Sequence, residues 1–253
     1  MYQFFVEPGQ IDVPGRSVVI LGGDVNHIRN VLRMKPGEEL NVSNGQDGRE
    51  YRCAVAAFEE DRVLCELRFI KEDKVELPSR IYLFQALPKA DKMELIIQKA
   101  VELGAYEVIP VAARRCVVKL DDRKAASRLA RWQGIAEAAA KQSKRALVPE
   151  IKQVLSFAEA VEYAARMPVR LIPYELAEGM GRTREILESV RPGEDIAVFI
   201  GPEGGFEASE IELAVKSGME PITLGRRILR TETAGMAVLS WLVYRLEGEP
   251  RHA

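Results

Sequence analysis

Apolar positions in the first 70 residues come in short runs, at 2–6, 17–21, 39–43, 50–58 and 62–69. Proline and glycine pairs punctuate them: Pro8-Gly9, Pro14-Gly15, Pro36-Gly37, Asn44-Gly45 and Asp47-Gly48. Runs of this length between such turns predict strands, and their even spacing predicts a small β-barrel. One interval breaks the rhythm. Val25, Ile28, Val31 and Leu32 fall on one helical face, with Asp24 placed to cap the helix, while His27, Arg29 and Arg33 occupy the opposite face and Lys35 follows. The polar stretch 71–78 ends in proline and reads as a domain boundary, dividing the chain into 1–72 and 73–253.

Beyond the boundary the period changes. A strand is predicted at 81–87, then a helix at 91–103 stopped by Gly104, a strand at 107–111, a long helix at 122–143, a helix opened by Ser156 with Glu159 in capping-box position, and a strand at 169–173. Alternation of this kind argues for a parallel α/β sheet. The stretch 197–240 carries the densest signal: strand 197–200, the turn Gly201-Pro202-Glu203-Gly204-Gly205, a helix with Ser209 as cap and Gly218 as stop, strand 221–224, and the loop 225–234. A last helix, 234–246, is apolar nearly all round and so needs packing partners on more than one side. Two glycine-bearing loops therefore leave strand ends, where open parallel sheets bind ligands. The spacing is not the G-x-G-x-x-G of dinucleotide folds, and no phosphate-loop Gly-Lys-Ser/Thr occurs.

Composition narrows the class without naming a function. With 47% apolar and 29% charged residues the chain is ordinary globular material. No apolar segment follows a basic start, so no signal peptide is expected, and the longest apolar run, 236–244, is broken by Ser240 and is too short to span a membrane. Cys53, Cys65 and Cys116 lack metal-ligand spacing and read as reduced structural thiols of a cytoplasmic protein. His27 and His252 are the only histidines, so no multi-histidine metal site is expected. The net charge of −2 gives no general pull toward nucleic acid, yet residues 110–150 hold ten Lys and Arg against four acids. One basic region thus sits in an otherwise acidic chain.

The wording IGPEGGF at 200–206 followed by LGRRILRTETA at 224–234 closely resembles the cofactor-binding end of the SPOUT methyltransferases, specifically the family (RsmE) that methylates N3 of a uridine in 16S ribosomal RNA. The pattern of residues 27–37 is similar to the PUA-like RNA-binding domain that opens that family, and the Glu-Ala-Ala-x-Gln-Ser-x-Arg wording near 137–145 recurs there too. Where members often carry an arginine ahead of a Phe-Phe pair, this chain has Met1-Tyr2-Gln3 before Phe4-Phe5. The resemblance implies a SPOUT-type α/β domain with a C-terminal trefoil knot behind a PUA-like β-barrel, a C2 homodimer in the cytoplasm, S-adenosylmethionine as cofactor with no metal, and 16S ribosomal RNA in the small subunit as partner.

It also implies a site. Leu171, Ile200, Gly201, Glu203, Gly204, Leu224, Gly225, Ile228, Leu229, Thr231 and Ala234 fall to the cofactor pocket, and His27, Arg29, Arg33, Lys35, Lys89, Lys92, Arg114, Arg115, Gln142, Ser143 and Arg145 to RNA contact. Uridine N3 must lose its proton before or during attack, so a base or a cation beside the developing anion helps. Arg230 is expected to stabilise that anion and Glu232 to orient it or take the proton; a structural ion pair between the two is the alternative. Trp132 fits a core position against Leu129 and Ile135 better than a base-stacking one. A ribose 2′-O-methyltransferase of the same superfamily and a non-catalytic RNA-binding assembly factor are the rival readings.

Overall fold

The computed structural model describes residues 1–72, 75–175, 177 and 179–247, apart from the side chain of Asp122. The chain forms two compact units, one of residues 1–76 with 140–148 and the other of 77–139 with 149–253. The expected boundary at 72/73 abuts Asp73 and Lys74, which, like His252, lie outside the described residues.

In the first unit, β1 (Gln3–Phe5), β2 (Ile11–Asp12), β3 (Ser17–Leu21), β4 (Glu39–Ser43), β5 (Arg49–Phe58) and β6 (Arg62–Glu72) pair in the order β1-β4-β5-β6-β3-β2. All neighbours are antiparallel except β1 and β4. Val18 and Ile20, Leu40 and Val42, and Val63, Cys65 and Leu67 alternate inward and form the core, the period-two pattern of strands with one buried face. Register shifts after Arg52 and Val55 bend the long β5–β6 pair. All three cysteines are free and buried. Burial pushes the Cys53 and Cys65 thiols up to about 12, so neither is a thiolate at neutral pH.

The helix expected after β3 is shorter and differently capped. Gly22, at φ 72°, starts α1 (Gly23–Asn26) and Asp24 makes no cap; the chain then widens into a π turn, His27–Val31. A wider turn advances less per residue, so Val25 and Ile28 stay buried while Val31 falls out of phase and is 61% exposed.

The second unit is a parallel sheet. Its strands are β7 (Ile81–Ala86), β8 (Ala105–Ala112), β9 (Glu150–Ile151), β10 (Leu155–Ser156), β11 (Val169–Pro173), β12 (Ile196–Ile200) and β13 (Glu220–Ile222), in the order β10-β8-β7-β12-β11-β13 with β9 also on β8. The helices are α2 (Lys92–Glu102), α3 (Asp122–Ser143), α4 (Phe157–Ala164), α5 (Met180–Ser189), α6 (Ala208–Lys216) and α7 (Thr231–Glu247). Every residue of β7 and β12 is buried, as for strands covered on both faces. α7 packs on α2 and α5 over β7 and β12, and α4 packs on β8 and α6. Phe84 and Phe199 stack at the centre, with ring centroids 4.4 Å apart.

Candidate functional site

The sheet places three loops side by side. β11, β12 and β13 are parallel neighbours of the sheet, so the segments after Pro173, Ile200 and Ile222 leave the same end. They enclose a cavity of about 560 Å³ lined by Pro173-Tyr174-Glu175, by 200–206 and by 223–231, with Lys92, Arg115 and Ala234 completing the wall. The volume suits a nucleoside-sized ligand.

Glycine shapes both main loops. Gly205 takes φ 67° and its N–H donates to Pro202 O at 2.9 Å, closing a turn; Gly225 takes φ 101°. A Cβ on Gly201 would stand 3.2 Å from Gly205 Cα and 3.3 Å from Phe206 N, so the backbone doubles back close enough that any side chain there would push it outward. Phe206 anchors the far end against Phe157 of α4, centroids 5.1 Å apart. α6 starts two residues earlier than a Ser209 cap would have it. Glu207 and Glu210 form the capping box, because Glu207 is already extended and its N–H meets Glu210 Oε2 at 2.9 Å.

The start of α7 is held twice. Thr231, buried at 5% exposure, donates its hydroxyl to Gly201 O at 2.7 Å and accepts from Gln85 Nε2 of β7 at 2.9 Å. Gln85 is fully buried, also donates to Ala86 O at 2.9 Å, and leaves its Oε1 without a hydrogen bond. The next residue, Glu232, lies with Oε2 3.3 Å from Lys92 Nζ, and that ammonium meets Glu203 Oε1 at 3.1 Å. Lys89 N–H donates to the same Glu203 oxygen at 3.1 Å. Burial opposes ionisation of Glu203, but hydrogen bonds from its own N–H, from Lys89 N–H and from Lys92 together outweigh it and hold the carboxyl below the ordinary carboxylate range. The Glu203 hydrogen bond, despite some desolvation, raises the Lys92 ammonium above the usual lysine value. Arg230 precedes these clamped residues, is exposed, and forms no ion pair with Glu232, whose partner is Lys92.

The expected cofactor residues Ile200, Gly201, Glu203, Gly204, Leu224, Gly225, Ile228, Leu229, Thr231 and Ala234 all line the cavity, with Ile228 93% exposed. Leu171 does not line it. Its side chain is fully buried in β11, since a mid-strand residue of a covered sheet packs into the core.

The expected RNA residues divide. Lys89, Arg114 and Arg115 are exposed near the loops, where Arg115 Nη1 donates to Gly204 O at 2.8 Å and Arg114 pairs with Glu207 at 3.3 Å. His27, Arg33 and Lys35 are exposed in the first unit; Arg29 lies 5.5 Å over the Phe58 ring and donates to the carbonyls of Glu59 and Glu60. Gln142 is exposed and Ser143 half-buried. Arg145 takes another role: at 3% exposure it forks onto Glu76, Nη2 to Oε2 2.5 Å and Nε to Oε1 3.1 Å, because a guanidinium at that depth needs a carboxylate. Trp132 is buried. Sequence reasoning missed Gln85, Glu207 and Glu210. Only Gln85 stood out in principle, as the one polar residue in an otherwise apolar strand.

A parallel sheet with a loop-built cavity at its strand ends is an arrangement in which α/β proteins bind nucleotides and nucleosides, and comparison with known proteins narrows the class. The model of an RNA methyltransferase domain matches residues 75–243, and that of an RNA methyltransferase PUA domain matches 20–68. The ribosomal RNA small subunit methyltransferase E of Bacillus subtilis is 37% identical over 98% of both chains. The structure of the Neisseria gonorrhoeae enzyme of that name, bound to S-adenosylmethionine, superposes with a TM-score of 0.81 at 34% identity, covering 96% of this chain and 97% of its own. A Legionella pneumophila structure in complex with the same cofactor gives 0.81 at 33% identity over 95% and 96%. The chain belongs to the ribosomal RNA small subunit methyltransferase E family of RNA methyltransferases.

Proposed function

We propose that this protein transfers the methyl group of S-adenosylmethionine to N3 of one uridine in the decoding region of 16S ribosomal RNA. The observation that carries the reading is the cavity between the two glycine loops with Arg230 on its rim, in a chain of this family. The lining fits the cofactor chemically: Ile200, Leu224 and Leu229 offer apolar walls for a purine, and the glycine segments offer backbone donors and acceptors for its edge. When bound, the cofactor supplies an electrophilic methyl group on a sulfonium. The chain's own residues prepare the nucleophile. Arg230 stabilises the uridine anion that forms as the N3 proton leaves, and Glu232 orients it or takes the proton.

The chain returns from β13, on the far side of β11, to start α7 against Gly201 and Gln85. That path supports the trefoil knot of SPOUT proteins in residues 73–253, behind a PUA-like RNA-binding domain of 1–72. His27, Arg33, Lys35, Lys89, Arg114, Arg115, Gln142 and Ser143 are proposed to contact RNA. On α7, Tyr244 is 84% exposed beside half-buried Trp241, a face suited to a C2 homodimer. Among the described residues no helix is long and apolar enough to cross a membrane; a ribosomal substrate is consistent with a cytoplasmic enzyme.

The test is transfer of labelled methyl to small ribosomal subunits lacking the modification, followed by nucleoside analysis. N3-methyluridine at one site is expected; label on ribose would move the enzyme to the 2′-O class. Arg230→Ala is expected to keep cofactor affinity and lose turnover, and full turnover would remove its role.

A further inference from the structure

Lys92 occupies an unusual position for a basic residue in an RNA enzyme. It sits at the first position of α2, and its ammonium meets one carboxylate from each of two segments, Glu203 of the loop after β12 and Glu232 of the first turn of α7. Lys92 and Glu203 line the cavity, and the side chains of Lys92, Glu203 and Glu232 are 27%, 29% and 17% exposed. Both of its neighbours are anionic, so an RNA phosphate brought to Lys92 would meet two negative charges. Glu203 is bound a second time by the segment that leads into α2, through Lys89 N–H. The N-terminus of α2 therefore holds the glycine loop by two contacts and α7 by one.

We propose that Lys92 is a positioning residue for methyl transfer: it locks the cofactor loop to the start of α7 and so fixes where Arg230 and Glu232 stand, without touching RNA. This rests on the methyltransferase reading above. Without the ammonium, Glu203 and Glu232 repel across the gap it leaves, and the two elements lose their common tie. Arg230 O accepts from Ala234 N–H at 2.8 Å and the next two residues are held by Thr231 on Gly201 and Glu232 on Lys92, so losing the Glu232 contact removes one of the ties that fix the start of α7. Misplacing reacting groups by about an ångström costs on the order of a hundredfold in rate, while ground-state binding of a long RNA through distant phosphates is unaffected.

The experiment compares wild type, Lys92→Met and Lys92→Arg in methyl transfer to unmodified small subunits, with cofactor affinity measured by calorimetry and RNA affinity measured against salt. Lys92→Met is expected to lower kcat by about tenfold to a hundredfold with KM for the subunit within about threefold and the salt slope unchanged; Lys92→Arg, which can still span two carboxylates, recovers most of kcat. A phosphate contact gives the opposite split, a raised KM and a salt slope reduced by about one with kcat kept, and overturns the proposal. Unchanged kcat in Lys92→Met overturns it too. If Lys92→Met does not fold, Lys92→Gln is read against the same outcomes. A wild type that binds cofactor but methylates no uridine removes the functional reading itself, a result separable from any effect at Lys92.

Discussion

Replacing Thr231 by valine tests whether the buried hydrogen-bond relay at the head of α7 fixes the cofactor loop. Valine keeps the β-branched shape but can neither donate nor accept. The substitution strands the Gly201 carbonyl, which receives the Thr231 hydroxyl at 2.7 Å, and one N–H of Gln85, which gives to it at 2.9 Å. The other Gln85 amide hydrogen already goes to Ala86 O, and its Oε1 has no hydrogen bond to exchange. Two buried groups left unpaired cost about 1–3 kcal/mol each, so a loss of about 2–4 kcal/mol is expected after local relaxation. Thr231→Ser keeps the hydroxyl and removes one methyl group, for about 1 kcal/mol. Both tryptophans, Trp132 and Trp241, belong to the second unit, so urea unfolding followed by tryptophan fluorescence reports on the unit that holds the relay. The valine variant is also expected to bind S-adenosylmethionine at least about tenfold more weakly, since 1.4 kcal/mol of lost loop order is a tenfold change. A valine variant within about 0.5 kcal/mol of wild type, with full cofactor affinity, would refute the idea that these bonds set the loop.

Other perturbations follow the same logic. Gly201→Ala forces a methyl into backbone 3.2 Å away at Gly205 Cα, and calorimetry is expected to show cofactor affinity falling by at least about tenfold while the unit stays folded. Glu203 is ionised more readily in the folded chain than in the unfolded one, so its contribution is complete above the ordinary carboxylate pKa of about 4.3 and disappears as pH falls through its lower folded value. Lys92 is shifted upward, so its contribution is complete below about 10.4 and is lost as pH rises through its folded value. Cofactor affinity is therefore expected to be flat from about pH 6 to 9; a decline inside that window would mean that another group governs the loop. Glu76→Gln removes the carboxylate that faces the 3%-exposed Arg145 guanidinium, for about 3 kcal/mol, read as faster amide exchange in β4, β5 and β6.

How far the chain could be read before its structure depended on the range of the interactions involved. Strands 17–21 and 39–43, helix 122–143 and the Ser156 capping box are local, and their sequence patterns coincide with the elements found. Short edge pieces escaped: β2, β9 and β10 have two residues each, too few for a period to show, and α5 mixes polar and apolar residues with little order. The first unit's second segment, 140–148, was also hidden, because it belongs there through Arg145 on Glu76 and Val148 on Gly45, contacts between residues far apart in sequence. Both glycine loops were legible from composition, and the family wording placed ten of eleven expected cofactor residues on the cavity wall. The partner of each charge was not legible. Glu232 was read with Arg230, its near neighbour in sequence, whereas the fold supplies Lys92 from a helix that begins about 140 positions earlier.

That substitution of partners bears on how the site works. Had Arg230 and Glu232 paired with each other, each would have neutralised the other, and neither would have been free for a substrate. With Lys92 on Glu232, the carboxylate is placed and compensated from behind, and Arg230 keeps its full charge at an exposed rim. A free arginine on a mobile loop would still lose side-chain and backbone entropy on meeting a uridine anion. Here part of that ordering is already done, since the backbone immediately after Arg230 is fixed by Thr231 on Gly201 and by Glu232 on Lys92. If Arg230 meets the uridine anion as proposed, the arrangement leaves one degree of adaptation, the Arg230 side chain itself, on a backbone tied on its C-terminal side before substrate arrives, which is the condition under which a cation stabilises a transition state more than a ground state.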